Sequence, residues 1–268
     1  MKFHEVHSKF VLTILSVARV TLGNIDIINC LSNAAFFSAL SKEEISSFAE
    51  HVTLKHYDDK QQLFLQGDEP RNFYVVSRGW VKVFRETLNG KESVINVLTS
   101  YETLGDEVIS KQSFYPYSAE AVGDLALLVL PIHFIRGRLE QDGRLALKML
   151  GALATHMSLL ETQLEQLMVM TAPKRIGCFL LKLTRGQERG TATVTLPYDK
   201  SLIAAKLGMQ AETFSRSFNN LKKAGVHIKE SKVMINDVCL LRDYVCPTCS
   251  NPIECDEDQA KECKSLWI

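Results

Sequence analysis

The chain has 268 residues, 46% hydrophobic and 23% charged, the balance of an ordinary globular protein of one or two domains, which excludes disorder over most of its length. Thirty-one Lys and Arg against thirty-one Asp and Glu leave no net charge, so a basic whole-chain signature for nucleic acid is absent, though a local field can still bind it. The best membrane candidate, Val11 to Leu22, is 12 residues long and contains Arg19, short of the roughly 18–20 that cross a bilayer. No clean cleavage site follows it, so a cytoplasmic protein with no membrane partner is expected.

Residues 1–33 read as an N-terminal extension without chemistry of its own. Ser41-Lys42-Glu43-Glu44 is a capping box, which predicts a short helix to about His51 with Ile45, Phe48 and Ala49 inward. From Val52 to Leu130, short β-branched and aromatic runs alternate with turn residues. The turns are expected at Gln66-Gly67-Asp68, Arg78-Gly79 and Asn89-Gly90, the last a strong hairpin signal because its turn needs positive φ at both central residues. This spacing predicts a compact all-β roll over residues 34–135.

Pro131 marks a boundary, and the pattern then becomes helical. Ala146, Leu150, Leu153, Met157, Leu160, Leu164 and Leu167 are spaced 4, 3, 4, 3, 4, 3, a heptad seam. A long, narrow seam of this kind predicts a coiled-coil helix over 136–172 and a homodimer, with a helix packed on its own domain as the alternative. Thr171-Ala172-Pro173 ends it. A second domain is expected over 173–245, starting with a helix at Arg175–Leu183, a polar loop at 185–190 and a strand at 193–196. An Asp199-capped helix then runs through Leu207, Gly208 turns the chain, and a helix from Ala211 to Ala224 is stopped by Gly225. Two small strands, at 226–228 and 232–235, close the module.

Two short helices joined by a glycine-containing turn are a helix-turn-helix. Small Ala204 and Ala205 let the helices approach, and Leu202, Ile203, Leu207, Phe214, Phe218 and Leu221 supply the shared core. Gln210, Glu212, Thr213, Ser215, Arg216, Asn219 and Lys222 then face outward. Residues 198–232 carry seven Lys or Arg against three acids, a net +4, while the last 23 residues carry five acids against two lysines, a net −3. Neutrality hides a basic module and an acidic tail.

The order of β-roll, long dimer helix and C-terminal helix-turn-helix resembles the Crp/Fnr family of bacterial transcription regulators over residues 34–245. The resemblance rests on Leu65-Gln66-Gly67-Asp68 through Tyr74-Val75-Val76-Ser77-Arg78-Gly79-Trp80-Val81-Lys82-Val83, on the Leu/Met heptads, and on Ile203-Ala204-Ala205-Lys206-Leu207-Gly208 followed by Glu212-Thr213-Phe214-Ser215-Arg216. It implies an α+β chain: a double-stranded β-roll of the cyclic-nucleotide-binding type, a dimerisation helix and a winged helix-turn-helix. Glu212, Ser215 and Arg216 match the Glu-x-x-Ser-Arg of the Fnr-like branch. The resemblance implies a palindromic TTGAT-like operator on double-stranded DNA, with RNA polymerase as a further partner. Arg can donate two bonds to guanine and Glu can accept from a cytosine amine, each good bidentate contact being worth about 1–3 kcal/mol. Lys206, Lys222 and Lys223 are the expected phosphate neighbours. Gln210 stands where the family has Ser or Thr as N-cap, a poorer cap by about 1 kcal/mol.

The cyclic-AMP-binding branch carries Gly-Glu and a later Arg-Ser/Thr-Ala; here the stretches are Gly105-Asp106-Glu107 and Tyr117-Ser118-Ala119. With Tyr117 in place of the arginine, a buried phosphate would lack its cation, and cyclic AMP is not expected. The sensor is sought instead in the C-terminal tail, 246–268. Cys246 and Cys249 form a C-x2-C pair, followed by Cys255 and Cys263, a thiolate set that suits an iron–sulfur cluster or zinc. The spacing is similar to the Bacillus-type Fnr subgroup, one residue longer in its second gap, which implies a [4Fe–4S] cluster sensing oxygen, nitric oxide or redox state. Cys263, Glu161 or Glu165 could be the fourth ligand. A structural zinc, a thiol switch, or a haem held by His51, His56, His133 or His156 are the alternatives. No P-loop, nucleophile elbow, HExxH or paired carboxylate motif occurs, so an enzyme is not expected.

Overall fold

A computed structural model describes residues 26–246 except 87–91, 108, 110–113, 185–188 and 198. The chain divides into two units, residues 1–157 and 158–268. The first described element is helix α1 (Ile27–Asn33), whose N-cap Asp26 accepts the Asn29 N–H. Ile27, Cys30 and Leu31, at i, i+3 and i+4, put one face into the core of the roll. This stretch therefore packs with the roll, although the sequence reading assigns it to the extension. Phe36 and Phe37 then sit against Phe73, with ring centroids 4.9 and 5.8 Å away. Helix α2 (Lys42–Ala49) begins with the expected capping box: Ser41 N–H donates to Glu44 at 2.7 Å and Glu44 N–H to Ser41 Oγ at 3.3 Å.

Six antiparallel strands form the roll: β1 (Thr53–Tyr57), β2 (Gln62–Phe64), β3 (Asn72–Glu86), β4 (Glu92–Leu98), β5 (Thr103–Leu104) and β6 (Ser118–Pro131). Their order is β1-β6-β3-β4, with β2 also on β6 and β5 on β3. The long strands β3 and β6 pair from Asn72↔Pro131 to Phe84↔Ser118. The turn expected at Arg78-Gly79 is instead an irregularity inside β3, with register shifts between Val76 and Trp80. Gly79 has φ +97, and a Cβ there would run into the carbonyl oxygen of Asp124. Glycine is thus demanded by a close strand approach, not by a chain reversal. The Asn89-Gly90 turn lies outside the described residues; its flanking strands pair as far as Glu86↔Glu92.

Helix α3 (Ile132–Gln141) and helix α4 (Gly143–Val169) follow. The single helix expected over 136–172 is broken at Asp142, which is extended and accepts the N–H groups of Arg144 and Leu145 at 3.0 and 3.1 Å, so it acts as a cap. In the first half of α4, Leu145, Met149 and Ala152 are buried. The seam side is open: Leu150 is 62% exposed, Met157 63% and Leu164 59%, Leu160 and Leu167 are also exposed, and Leu153 is partly covered.

The second unit contains α5 (Ala172–Leu183), β7 (Ala192–Thr195), α6 (Lys200–Lys206), α7 (Ala211–Asn220), β8 (Val226–Lys229), β9 (Lys232–Ile235) and α8 (Val238–Val245). The strands form a small antiparallel sheet in the order β7-β9-β8. The helix expected to continue to Ala224 ends at Asn220 and tightens into a 3₁₀ turn over Leu221–Ala224, closed by Gly225. Helix α8 has no counterpart in the sequence reading. Asp237 caps it through the Cys239 N–H at 2.8 Å, and Val238, Leu241 and Val245 are its buried face. It crosses α5 at Gly177, where a Cβ would lie 2.5 Å from a Val245 methyl group.

Candidate nucleic-acid interface

Asp199 opens α6 by accepting the Ser201 N–H at 2.8 Å. Leu202, Ile203 and Ala204 are buried; Ala205, expected at the helix–helix contact, is exposed, and Leu207 is only partly buried. Ala204 alone therefore supplies the close approach. The turn passes through Gly208, with φ +61, and is closed by a hydrogen bond from Met209 N–H to the Ala204 carbonyl at 2.9 Å. Gln210 is the N-cap of α7 and makes no side-chain capping bond, leaving the first-turn N–H groups unfilled from that side chain.

Helix α7 is strongly two-sided. Phe214, Ser217 and Phe218 are buried, the two rings 5.6 Å apart, and Leu221 continues this face. Glu212, Ser215, Arg216 and Asn219, at i, i+3, i+4 and i+7, share the opposite, exposed face, with Gln210 exposed at its start. Lys222 and Lys223 are exposed on the 3₁₀ turn, and Lys206 is partly buried on α6. A helix presenting one carboxylate, one hydroxyl and one guanidinium in a row has the donor and acceptor set that reads base edges in a major groove.

In the roll, Tyr117 is buried and its hydroxyl donates to Glu107 at 2.9 Å. Burial, then the Glu107 and Asp106 charges, hold the Tyr117 hydroxyl well above the usual tyrosine range. Burial and the neighbouring Glu107 push the Asp106 carboxyl up to about 7. Phe64 stacks on Tyr115 at 3.8 Å and lies 5.9 Å from Tyr117. Ser118 Oγ accepts the Gln66 N–H at 2.9 Å. The stretch where the cyclic-AMP-binding branch carries its arginine is here a tyrosine–carboxylate cluster beside aromatic rings, with no cation at position 117.

Residues 54–142 match the family model of the cyclic nucleotide-binding domain, and residues 174–244 that of the Crp-like helix-turn-helix domain. A solved chain from Ruegeria pomeroyi, described as a candidate cyclic nucleotide binding protein, is 36% identical, covers 82% of this chain and 96% of its own, and superposes with a TM-score of 0.75. The chain belongs to the Crp/Fnr family of transcription regulators. Among curated Crp/Fnr relatives, the cyclic AMP receptor protein of Thermus thermophilus is 26% identical over 80% of this chain and 97% of its own length. The anaerobic regulatory protein of Bacillus subtilis is 22% identical over 84% and 98%.

The cysteines of this Crp/Fnr chain are less fully placed. Cys246 is the half-buried C-cap of α8; Cys249, Cys255 and Cys263 lie outside the described residues. Among the described residues, no group of three or more His, Cys, Asp and Glu could hold a metal ion. Glu161 and Glu165 are exposed on α4. Cys30 is buried, its thiol pushed up to about 11 chiefly by burial, which suppresses the reactive thiolate. Of the candidate haem ligands, His51 stacks on Phe134 at 3.7 Å with Nδ1 3.2 Å from the Ser47 carbonyl oxygen; His56 and His133 are exposed and His156 is half-buried. No helix among the described residues is long and apolar enough to cross a membrane.

Proposed function

We propose that this regulator acts in the cytoplasm as a homodimer on a TTGAT-like palindrome, and that its C-terminal cysteines hold the group through which it senses its signal. The observation that carries the first part is the exposed row Glu212, Ser215, Arg216 on α7, opposite the buried Phe214 and Phe218. Arg216 reads guanine, Glu212 a cytosine amine, and Ser215 a neighbouring base. The exposed leucine and methionine side chains of α4 are the pairing seam: roughly half of each is still open to solvent, so burial against a second copy would regain about 1 kcal/mol of transfer free energy per side chain before the costs of association. Two heads about one helical turn apart then meet the two half-sites, and RNA polymerase is the downstream partner.

For the tail, the donor chemistry fits a thiolate-held group. Cys246 starts the set at the end of α8, and Cys249, Cys255 and Cys263 follow in sequence. These residues would hold a [4Fe–4S] cluster, which supplies sensitivity to oxygen and nitric oxide when bound. Cys246 is one residue beyond Val245, which packs on Gly177 of α5, so a change at the first ligand reaches the packing of the DNA-binding module directly.

Fluorescence anisotropy with a TTGAT…ATCAA duplex and a scrambled duplex tests the operator reading. Wild type is expected to prefer the palindrome, and Arg216→Ala to lose roughly 5- to 150-fold of that preference per half-site, from about 1–3 kcal/mol per bidentate contact. A full preference retained in Arg216→Ala contradicts the assignment of the reading face.

A further inference from the structure

Arg175 stands on the first turn of α5, partly buried, and its Nε is fully shielded from solvent with no hydrogen-bond partner, the one such side-chain atom among the described residues. Its guanidinium makes no ion pair with any described carboxylate. A guanidinium drawn partly out of water ordinarily meets an acid, because an uncompensated charge costs more as water is removed. The position is specific. Nη1 lies 3.7 Å from the point where a Cβ would project from Gly208, the exposed turn between α6 and α7, and Leu167 lies 3.3 Å from the same point. Gly208 is two residues before Gln210, where the base-reading helix begins.

We infer that Arg175 is a phosphate ligand of the DNA backbone, meeting the phosphodiester that flanks the entry of α7 into the groove. Three features select this partner. The cation is held against the helix-turn-helix turn itself; the surrounding stretch, residues 198–232, carries a net +4; and the N-cap Gln210 adds no competing carboxylate. Leu167 over the turn shields one side of the site, so the guanidinium is positioned before DNA arrives instead of being ordered by it. Arg is suited to this task because its planar fork can meet two phosphate oxygens. Arg175 then positions the module without reading sequence, a role distinct from that of Arg216.

The test is the salt dependence of binding by the full chain to the palindrome and to a random-sequence duplex. Removing one phosphate contact lowers the slope of log affinity against log salt by about 0.9 per bound chain, equally for both duplexes, and leaves their affinity ratio unchanged. Arg175→Met and the more polar Arg175→Gln are both expected to show this, with Arg175→Lys keeping the wild-type slope; a circular dichroism melt of each variant identifies any that is unfolded. An unchanged slope in the folded charge-removing variants overturns the inference. So does a loss of the palindrome-to-random ratio at constant slope, which would make Arg175 a wedge that only shapes the turn. If wild type binds neither duplex, the reading of the whole module falls and this inference with it; if wild type binds and only the slope is unmoved, the assignment of Arg175 alone falls.

Discussion

Lys82 in the roll is a buried cation and Arg175 in the C-terminal unit a partly buried one, and the two regions treat them in opposite ways. Lys82 is clamped between Glu92 and Glu120, 2.7 Å from each, with the Phe84 ring 4.3 Å away. Those two carboxylates hold its ammonium above the usual lysine range against the opposing effect of burial. Tyr117 is likewise satisfied internally, by Glu107. In the second unit Arg175 has no described acid, and Arg216 and Ser215 point outward. Lys82 is closed on two carboxylates of its own domain and Arg175 faces no described acid, which is the difference expected between a scaffold cation and one kept for a polyanion.

Substitutions can sharpen that contrast, and the largest effect is expected at Gly79. Alanine there meets a backbone carbonyl that cannot yield, at a φ that L residues rarely adopt, so Gly79→Ala should cost the roll about 3–5 kcal/mol from strain and overpacking together, read as a lowered melting temperature. Gly177→Ala is the counterpart in the second unit and should cost less. Its Cβ meets a Val245 methyl group instead of backbone, and alanine recovers about 1 kcal/mol of helix propensity, leaving a net loss of about 1–2 kcal/mol. A Gly177→Ala cost equal to that of Gly79→Ala would remove the distinction between the two crossings.

The smallest effect concerns Asp106. Its carboxyl titrates near 7 in the folded chain against an ordinary 3.8, so the folded state keeps a proton that the unfolded chain releases. Stability from this group is complete below about pH 3.8 and is lost as pH rises towards 7. Asp106→Asn should therefore have a flatter stability profile over that window and gain relative to wild type at pH 8. Parallel profiles for the two proteins would show that Asp106 ionises normally.

The fold is legible in the sequence where a local rule acts alone. The Ser41 capping box, the Asp199 cap and the 3–4 spacing of Phe214, Phe218 and Leu221 all depend on neighbours in the chain, and each is present in the structure. At Arg78-Gly79 a glycine with positive φ suits a turn and a bulge equally, and the deciding contact, the carbonyl of Asp124, is 45 residues away. Asp142 caps α4 through a local contact, but the unbroken heptad spacing from Ala146 onward carries no mark of where the helix begins. Helix α8 has an Asp237 cap and an apolar 3–4 pattern, signals that are weak in eight residues. At the candidate interface, the exposed face of α7 followed from periodicity, whereas Arg175 did not, because a missing partner has no sequence signature.

Whether the tail reports to the DNA-binding module is read from visible absorption, iron and zinc content, and operator affinity of protein purified without oxygen, followed through exposure to air. A cluster-sensing tail gives a brown protein with a broad band near ~400 nm, iron at cluster stoichiometry, and an operator affinity that changes as the band bleaches. A colourless protein carrying one zinc per chain, with operator affinity indifferent to air, would contradict it and make the tail a structural element.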